Sequence, residues 1–153
     1  MMLLSGMSSL SHAQNLKMCG QGTLFVGKKA VGESRYFAER CGANWQNQNI
    51  QMEFSYRENI PEWAFKRAAN HFLKRNLSNQ NLMSVYRSFT DLYQPVKAGD
   101  VYQLKYNHAQ QRLSVYLNEK SLGQLQHPEA QQYFKIWLGA EPFNAKLKQQ
   151  LLN

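Results

Sequence analysis

The chain has 153 residues, of which 43% are apolar and 18% are charged, and its formal net charge is 18 − 10 = +8. This length is typical of one domain that needs no metal or disulfide framework to fold, and the composition excludes a disordered or low-complexity chain. The basic residues are scattered rather than clustered in a run, which disfavours a nucleic-acid-binding protein. A net positive charge favours small anionic partners but is equally compatible with a solvated surface.

The first thirteen residues predict an export signal. Residues 1–10 are small and apolar, and Ser11-His12-Ala13 resembles a signal-peptidase site, so the mature domain would span residues 14–153. The positive segment that should open a signal peptide is missing or lies upstream, since the first basic residue is Lys17. The alternative is an unstructured N-terminus. No stretch is long and apolar enough to be a membrane-spanning helix, and we expect a periplasmic or secreted protein.

Two strands and a cysteine pair are predicted at the start of the domain. Residues 20–26 and 31–40 are rich in β-branched and aromatic residues. A turn centred near residues 29–30 would place Cys19 opposite Cys41, and a disulfide there would stabilise the fold by about 3 kcal/mol. The alternative is two buried free thiols. A zinc site is not expected, because two cysteines without paired histidines provide too few ligands.

One strand and two helices are predicted in the middle of the chain. Residues 50–56 alternate between apolar and polar, which is the period of a half-buried strand. A helix follows, with Asn59 as N-cap and Pro61 near its first position. Its apolar stripe consists of Phe65, Ala68, Ala69, Phe72 and Leu73. A second helix is predicted over residues 79–93 and is stopped by Pro95.

A β-meander and two helices are predicted in the last third. The strands cover residues 101–106, 113–117 and 121–125. His127-Pro128-Glu129 begins a helix with a glycine cap at Gly139, and a short helix runs from Asn144 to the end. The order of strands, two helices, strands and two helices differs from β-α-β alternation. It predicts an α+β domain with a mainly antiparallel sheet and helices on one face.

Several segments of the C-terminal third form a characteristic series. They are Val96-Lys97-Ala98-Gly99-Asp100, Tyr116-Leu117-Asn118-Glu119-Lys120, Leu122-Gly123, Phe134-Lys135-Ile136-Trp137-Leu138-Gly139, Leu147 and Leu151-Leu152. The series resembles the bacterial chalcone-isomerase-like family of exported proteins, over nearly the whole mature chain. The resemblance implies an open-faced β-sandwich of chalcone-isomerase type. Members of this fold isomerise chalcones or bind fatty acids without catalysis, so the resemblance implies a fold more than a function.

Most residues that the resemblance would assign to catalysis are replaced. Leu24 stands where the enzymes carry an arginine, and Val31 stands near an expected threonine. Trp63 replaces a tyrosine on the first helix, whereas Asn70 matches the asparagine seven residues later. A late threonine has no clear counterpart near Glu119. Without the arginine and the hydroxyls, nothing would stabilise an oxyanion.

Five residues are candidates for ligand binding. Trp63, Arg67 and Asn70 share one face of the first helix, and Arg35 and Tyr36 are neighbours on the second strand. Arg67 could hold a carboxylate while the indole of Trp63 packs on an acyl chain or a ring. Alternatively, Trp63 packs on a neighbouring segment and Arg67 is solvated.

Two other site types are disfavoured. Gly20-Gln21-Gly22 is not a dinucleotide motif, because Phe25 occupies the position of its third glycine and no helix follows. His71, His108 and His127 lack the spacing of metal ligands. We therefore expect neither a metal nor a cofactor.

The sequence favours an exported, non-catalytic protein that binds a small apolar or amphipathic anion, such as a fatty acid, in a cleft. A cleft too small for an acyl chain would contradict this hypothesis. One alternative is an isomerase or lyase for a phenolic compound, which requires an arginine and a tyrosine converging in the cleft. Another is an accessory protein of the cell envelope that acts through an exposed apolar patch above roughly 600 Å². The sequence predicts no oligomeric state.

Overall fold

The computed structural model describes residues 16–153, so the predicted leader and the first two residues of the predicted mature domain lie outside the described part. Six strands form one antiparallel sheet in which each strand pairs with the next along the chain. They are β1 (Lys17–Val26), β2 (Lys29–Ala38), β3 (Ile50–Tyr56), β4 (Val101–Asn107), β5 (Arg112–Leu117) and β6 (Lys120–Gln126). The sheet order β1 to β6 confirms the predicted antiparallel architecture.

Four helices accompany the sheet, which confirms the predicted α+β class. They are α1 (Glu62–Asn76), α2 (Met83–Thr90), α3 (Lys135–Leu138) and α4 (Ala145–Leu152). Short 3₁₀ turns occur at Trp45–Asn47, Gln80–Leu82 and Ala130–Phe134. Within residues 16–153, every helix is too short or too polar to cross a membrane.

The sheet has one apolar face and one polar face. On β3, the alternate side chains of Ile50, Met52 and Phe54 are buried, whereas Gln51 and Glu53 are only partly buried. The strand register brings the buried side chains of neighbouring strands to the same face, where they form the core with the helices. The largest fully buried side chains are Tyr36, Tyr86, Tyr102, Tyr133, Phe89 and Phe134. The opposite face is open, as the α+β order predicts.

The two glycines of the first strand serve helix packing. A Cβ atom at Gly20 would overlap the backbone carbonyl oxygens of Gln150 and Leu151, and one at Gly22 would meet the side chains of Gln150 and Leu147. The helix α4 therefore lies directly on β1. Asn144 begins this helix as predicted, since its Oδ1 accepts a hydrogen bond from the Leu147 N–H at 2.9 Å.

Cys19 and Cys41 form a disulfide with an S–S distance of 2.09 Å. The predicted turn position was wrong, however, because the β1–β2 turn lies at Gly27-Lys28 rather than at residues 29–30. Gly27 has a φ of 62°, a conformation that glycine adopts without strain. The two cysteines are therefore not partners within the ladder. Cys41 lies in the loop between β2 and β3, three residues after Ala38, and the disulfide links this loop to β1.

The predicted helices have different starts and lengths. Pro61 is the N-cap of α1, and the predicted N-cap Asn59 instead accepts a hydrogen bond from the Ala98 N–H at 3.0 Å through its Oδ1. This bond ties the start of α1 to the segment before β4. The single helix predicted over residues 79–93 is a 3₁₀ turn followed by the shorter α2, which ends at Thr90.

The helix predicted after His127 begins as 3₁₀ rather than as α. His127 Nδ1 accepts a hydrogen bond from the Glu129 N–H at 3.0 Å, consistent with its predicted role at a helix start. Gly139 is the C-cap of α3, as predicted, and its N–H donates to the Lys135 carbonyl, but its φ of −78° is not the left-handed conformation common at glycine caps. A glycine fits there because a Cβ would overlap the side-chain oxygen of Asn76.

Candidate ligand-binding cavity

An apolar cavity of about 110 Å³ lies between the sheet and α1. Its walls come from β1 to β4, from α1 and from the segment around α3. The lining residues are Leu24, Val26, Val31, Phe54, Tyr56, Ile60, Ala64, Phe65, Ala68, Ala69, Tyr93, Tyr102, Leu104, Ile136, Trp137 and Phe143. All are aliphatic or aromatic, so the walls carry no charged side chain.

The helix α1 leaves room for the cavity because three of its lining residues are alanines. Ala68, Ala69 and Phe65 belong to the predicted apolar stripe and line the cavity, and Ala64 lines it beside them. A methyl side chain extends too short a distance from the helix to fill the space above the strands. The apolar stripe therefore packs against the core and also leaves space for the cavity.

Stacked rings form one end of the cavity. Phe65 is stacked on Tyr93 with ring centroids 5.5 Å apart, and it meets Tyr102 edge to face at 5.4 Å and Tyr56 at 5.6 Å. These separations and angles are typical of favourable aromatic pairs. The rings fix the shape of this wall.

The tyrosine hydroxyls of the wall are neutral. Tyr102 donates to the Gln94 carbonyl at 2.6 Å and accepts from the Gln94 N–H at 2.8 Å, while Tyr133 donates to the Tyr93 hydroxyl at 3.4 Å. Burial raises the pKa of Tyr102 to about 12, and burial also raises the pKa values of Tyr56 and Tyr93. The cavity therefore suits an apolar group at neutral pH.

Comparison with known proteins identifies the family. Residues 28–153 match the family model described as chalcone isomerase-like. The chain belongs to the chalcone isomerase-like family. A solved structure of an Arabidopsis thaliana fatty-acid binding protein has the same fold, with a TM-score of 0.70 over 91% of this chain and 87% of that chain, at 14% sequence identity. A search of curated protein sequences finds no match.

Two residues that line the cavity of this chalcone isomerase-like protein were not predicted to do so. The sequence analysis treated them only as replacements of catalytic residues. Leu24 and Val31, which stand where the resemblance places an arginine and a threonine, form part of the apolar wall. An apolar residue at each expected position of a polar catalytic residue could have predicted this apolar wall from the sequence. Their side chains extend the wall instead of supplying polar groups.

The structure places the three helix candidates away from the cavity. Trp63, Arg67 and Asn70 are exposed, and the side chain of Trp63 is 62% exposed. With 3.6 residues per turn, they project from the side of α1 opposite to Phe65, which lines the cavity. The predicted grouping of Trp63 and Arg67 in a cleft is therefore not present.

The two strand candidates lie on opposite faces of the sheet. Arg35 Nη1 is 3.7 Å from Glu53 Oε1 on the open face. Tyr36 is fully buried on the covered face, where its hydroxyl has no hydrogen-bond partner among residues 16–153, and it does not line the cavity. Neighbouring residues of a strand point in opposite directions, so they cannot contribute to one site here.

Proposed function

We propose that this protein binds the apolar part of a small amphipathic anion without catalysing a reaction. The observation that carries the proposal is the wholly aliphatic and aromatic wall of the cavity between the sheet and α1. The Arabidopsis thaliana protein that shares this fold is a fatty-acid binding protein, which supports the same class of ligand. The charged head group would remain in solvent at the mouth.

The size of the cavity restricts the ligand. Its volume of about 110 Å³ is well below the roughly 300–1,000 Å³ typical of ligand pockets. It suits a short acyl chain or one aromatic ring, and a long-chain fatty acid would not fit without displacing side chains. We therefore propose a short or medium-length fatty acid as the ligand.

A binding role is better supported than catalysis. The isomerase alternative requires an arginine and a tyrosine converging in the cleft. The lining includes Tyr56, Tyr93 and Tyr102, whereas Leu24 replaces the arginine and none of the sixteen lining residues is a cation. The neutral phenols provide no base at physiological pH.

We also propose that the protein is exported to the periplasm or secreted. The signal-peptide pattern of residues 1–13 supports this location, and a Cys19–Cys41 disulfide is compatible with an oxidising compartment. Expression of the full chain followed by fractionation and intact mass measurement tests it. Loss of residues 1–13 and recovery outside the cytoplasm are expected, and an uncleaved cytoplasmic product would contradict the proposal.

Binding is tested by titrating the full chain with octanoate while methyl NMR signals are observed. We expect signals of Leu24, Val31 and Ile136 to shift and saturate. Ala68→Leu fills the cavity and should weaken octanoate binding about tenfold or more, since the added methyl groups occupy the ligand volume. Asn70→Leu introduces the same side chain on the exposed face of α1 and should leave binding unchanged.

The same titration separates the alternatives. Octanoate binding that survives Ala68→Leu but is lost in Asn70→Leu would move the site to the exposed face of α1. An absence of saturable methyl shifts would overturn the proposal. Loss of chalcone absorbance at a rate above the uncatalysed one would favour the isomerase.

A further inference from the structure

A second pocket, of about 280 Å³, lies on the open face of the sheet and is separated from the apolar cavity by the sheet itself. The register aligns Gln51, Lys105, Ser114 and Gln124 in one row across β3 to β6. Adjacent strands are about 4.8 Å apart, so these side chains form a continuous polar floor. Their alternation with buried residues makes them point away from the helices.

Two cationic side chains, Lys105 and Arg112, and the ring of Tyr116 also line this pocket. Arg112 and Tyr116 flank Ser114 at two-residue spacing on β5, and they therefore project from the same face. Lys105 Nζ lies 4.8 Å from the centroid of the Tyr116 ring. Arg112 donates from Nη1 to Gln110 Oε1 at 3.1 Å, whereas its buried Nε has no partner among residues 16–153.

The positive charge of this pocket is not neutralised by the described part of the chain. No carboxylate of residues 16–153 lies within ion-pair distance of Lys105 or Arg112, and the lining contains neither aspartate nor glutamate. The carboxylate of Glu53, on the same face, already accepts hydrogen bonds from Gln51 and Gln103. An unpaired buried donor beside a second cation is stabilised by a bound anion.

We propose that this open-face pocket binds a small hydroxylated anion, namely a saccharide that carries a carboxylate or a phosphate. The guanidinium group of Arg112 would hold the anionic group, and Lys105 would add a point charge. The amide side chains of Gln51 and Gln124 both donate and accept, which suits sugar hydroxyls. This inference does not depend on the apolar cavity and goes beyond the function proposed for it.

The test is an amide NMR titration of the full chain with glucuronate, glucose 6-phosphate, glucose and inorganic phosphate at millimolar concentrations. The two charged sugars should give saturable shifts at Ser114 and Gln124 that weaken with added salt, while glucose should give none. Lys105→Gln and Arg112→Gln should each weaken binding about tenfold or more. Arg35→Gln is the control, because Arg35 lies on the same face but outside the pocket.

Each other outcome would overturn a defined part of the proposal. Equal binding of inorganic phosphate and the charged sugars would reduce the site to a simple anion site. Binding unchanged in both Lys105→Gln and Arg112→Gln, or equally reduced in Arg35→Gln, would remove the assignment to this pocket. The absence of saturable shifts with every probe would refute the site, provided that circular dichroism shows a folded chain.

Discussion

The two faces of the sheet consist of alternating residues of the same strands, yet they differ in what constrains them. On β4, Leu104 is 1% exposed and packs in the core, whereas its neighbour Lys105 projects from the open face. Residues on the covered face must satisfy packing, so their identity is explained by the fold. The unpaired cations of the open face contribute little to packing. Packing does not explain their identity, and we propose that they serve binding.

The largest expected effect on the free energy of unfolding comes from testing this contrast at two adjacent residues, Leu104 and Lys105. Leu104→Ala should lower the free energy of unfolding by about 4 kcal/mol, because it removes a buried side chain beside an existing cavity. Lys105→Ala should change it by less than about 0.5 kcal/mol, since the position is on the open face. Urea unfolding of both variants measures the difference. Similar losses in the two variants would show that the open face is also covered.

The disulfide tests how much the edge strand depends on covalent attachment. β1 has one hydrogen-bonded neighbour in the sheet, and α4 packs directly on it. Replacement of Cys19 and Cys41 by serine should cost about 3 kcal/mol, because the unfolded chain loses a loop closure of 22 residues. Thermal unfolding of the oxidised protein and the double variant measures it. An unchanged midpoint would mean that the pairing with β2 and the packing of α4 hold β1 without the disulfide.

A smaller effect, this time an increase in stability, is expected at the turn between β5 and β6. Asn118 and Glu119 have φ values of 51° and 70°, the left-handed region that two-residue hairpin turns require. A glutamate is strained there and a glycine is not, so Glu119→Gly should stabilise by about 1 kcal/mol. Urea unfolding measures the gain. Glu58→Gly, at a partly buried glutamate without this conformation, is the control and should not stabilise.

The sequence predicted the covered face far better than the open one. The period-two pattern of residues 50–56 and the stripe of Phe65, Ala68 and Ala69 each report burial directly, so the architecture and the helix that lines the cavity were predicted correctly. The turn was misplaced although Gly27 marked it. A centre at residues 29–30 would pair the two cysteines, but they are not partners in the ladder.

The candidate sites could be predicted only in part. Trp63 and Asn70 were selected because the resemblance places catalytic groups there, but the rotation of the helix carries them to the exposed side. Lys105 and Arg112 come from different strands, and their proximity depends on a register that no local pattern contains. A lysine at a polar position of an alternating strand is an ordinary feature on its own.

The smallest effect concerns the stability in acid that Asp100 provides near the β5–β6 turn. Asp100 Oδ2 accepts a hydrogen bond from the Lys97 N–H at 2.8 Å, and its Oδ1 accepts one from Asn118 Nδ2 at 2.9 Å. These bonds lower the pKa of Asp100 below its ordinary value of 3.8. The stabilisation should thus be complete above that ordinary value and should disappear as the pH falls through the lower, folded-state value.

Asp100→Asn should therefore destabilise the protein at pH 7 and have a much smaller effect at strongly acidic pH, where the wild-type carboxyl is protonated. Urea unfolding of both proteins across the acid range measures the difference, and Asp91→Asn is a control at an exposed carboxylate without these two bonds. A difference that stays constant with pH would assign the effect of Asp100 to packing. A difference that shrinks on acidification would show that its charge stabilises the link between the segment before β4 and the β5–β6 turn, joining two of the segments that carry the family resemblance.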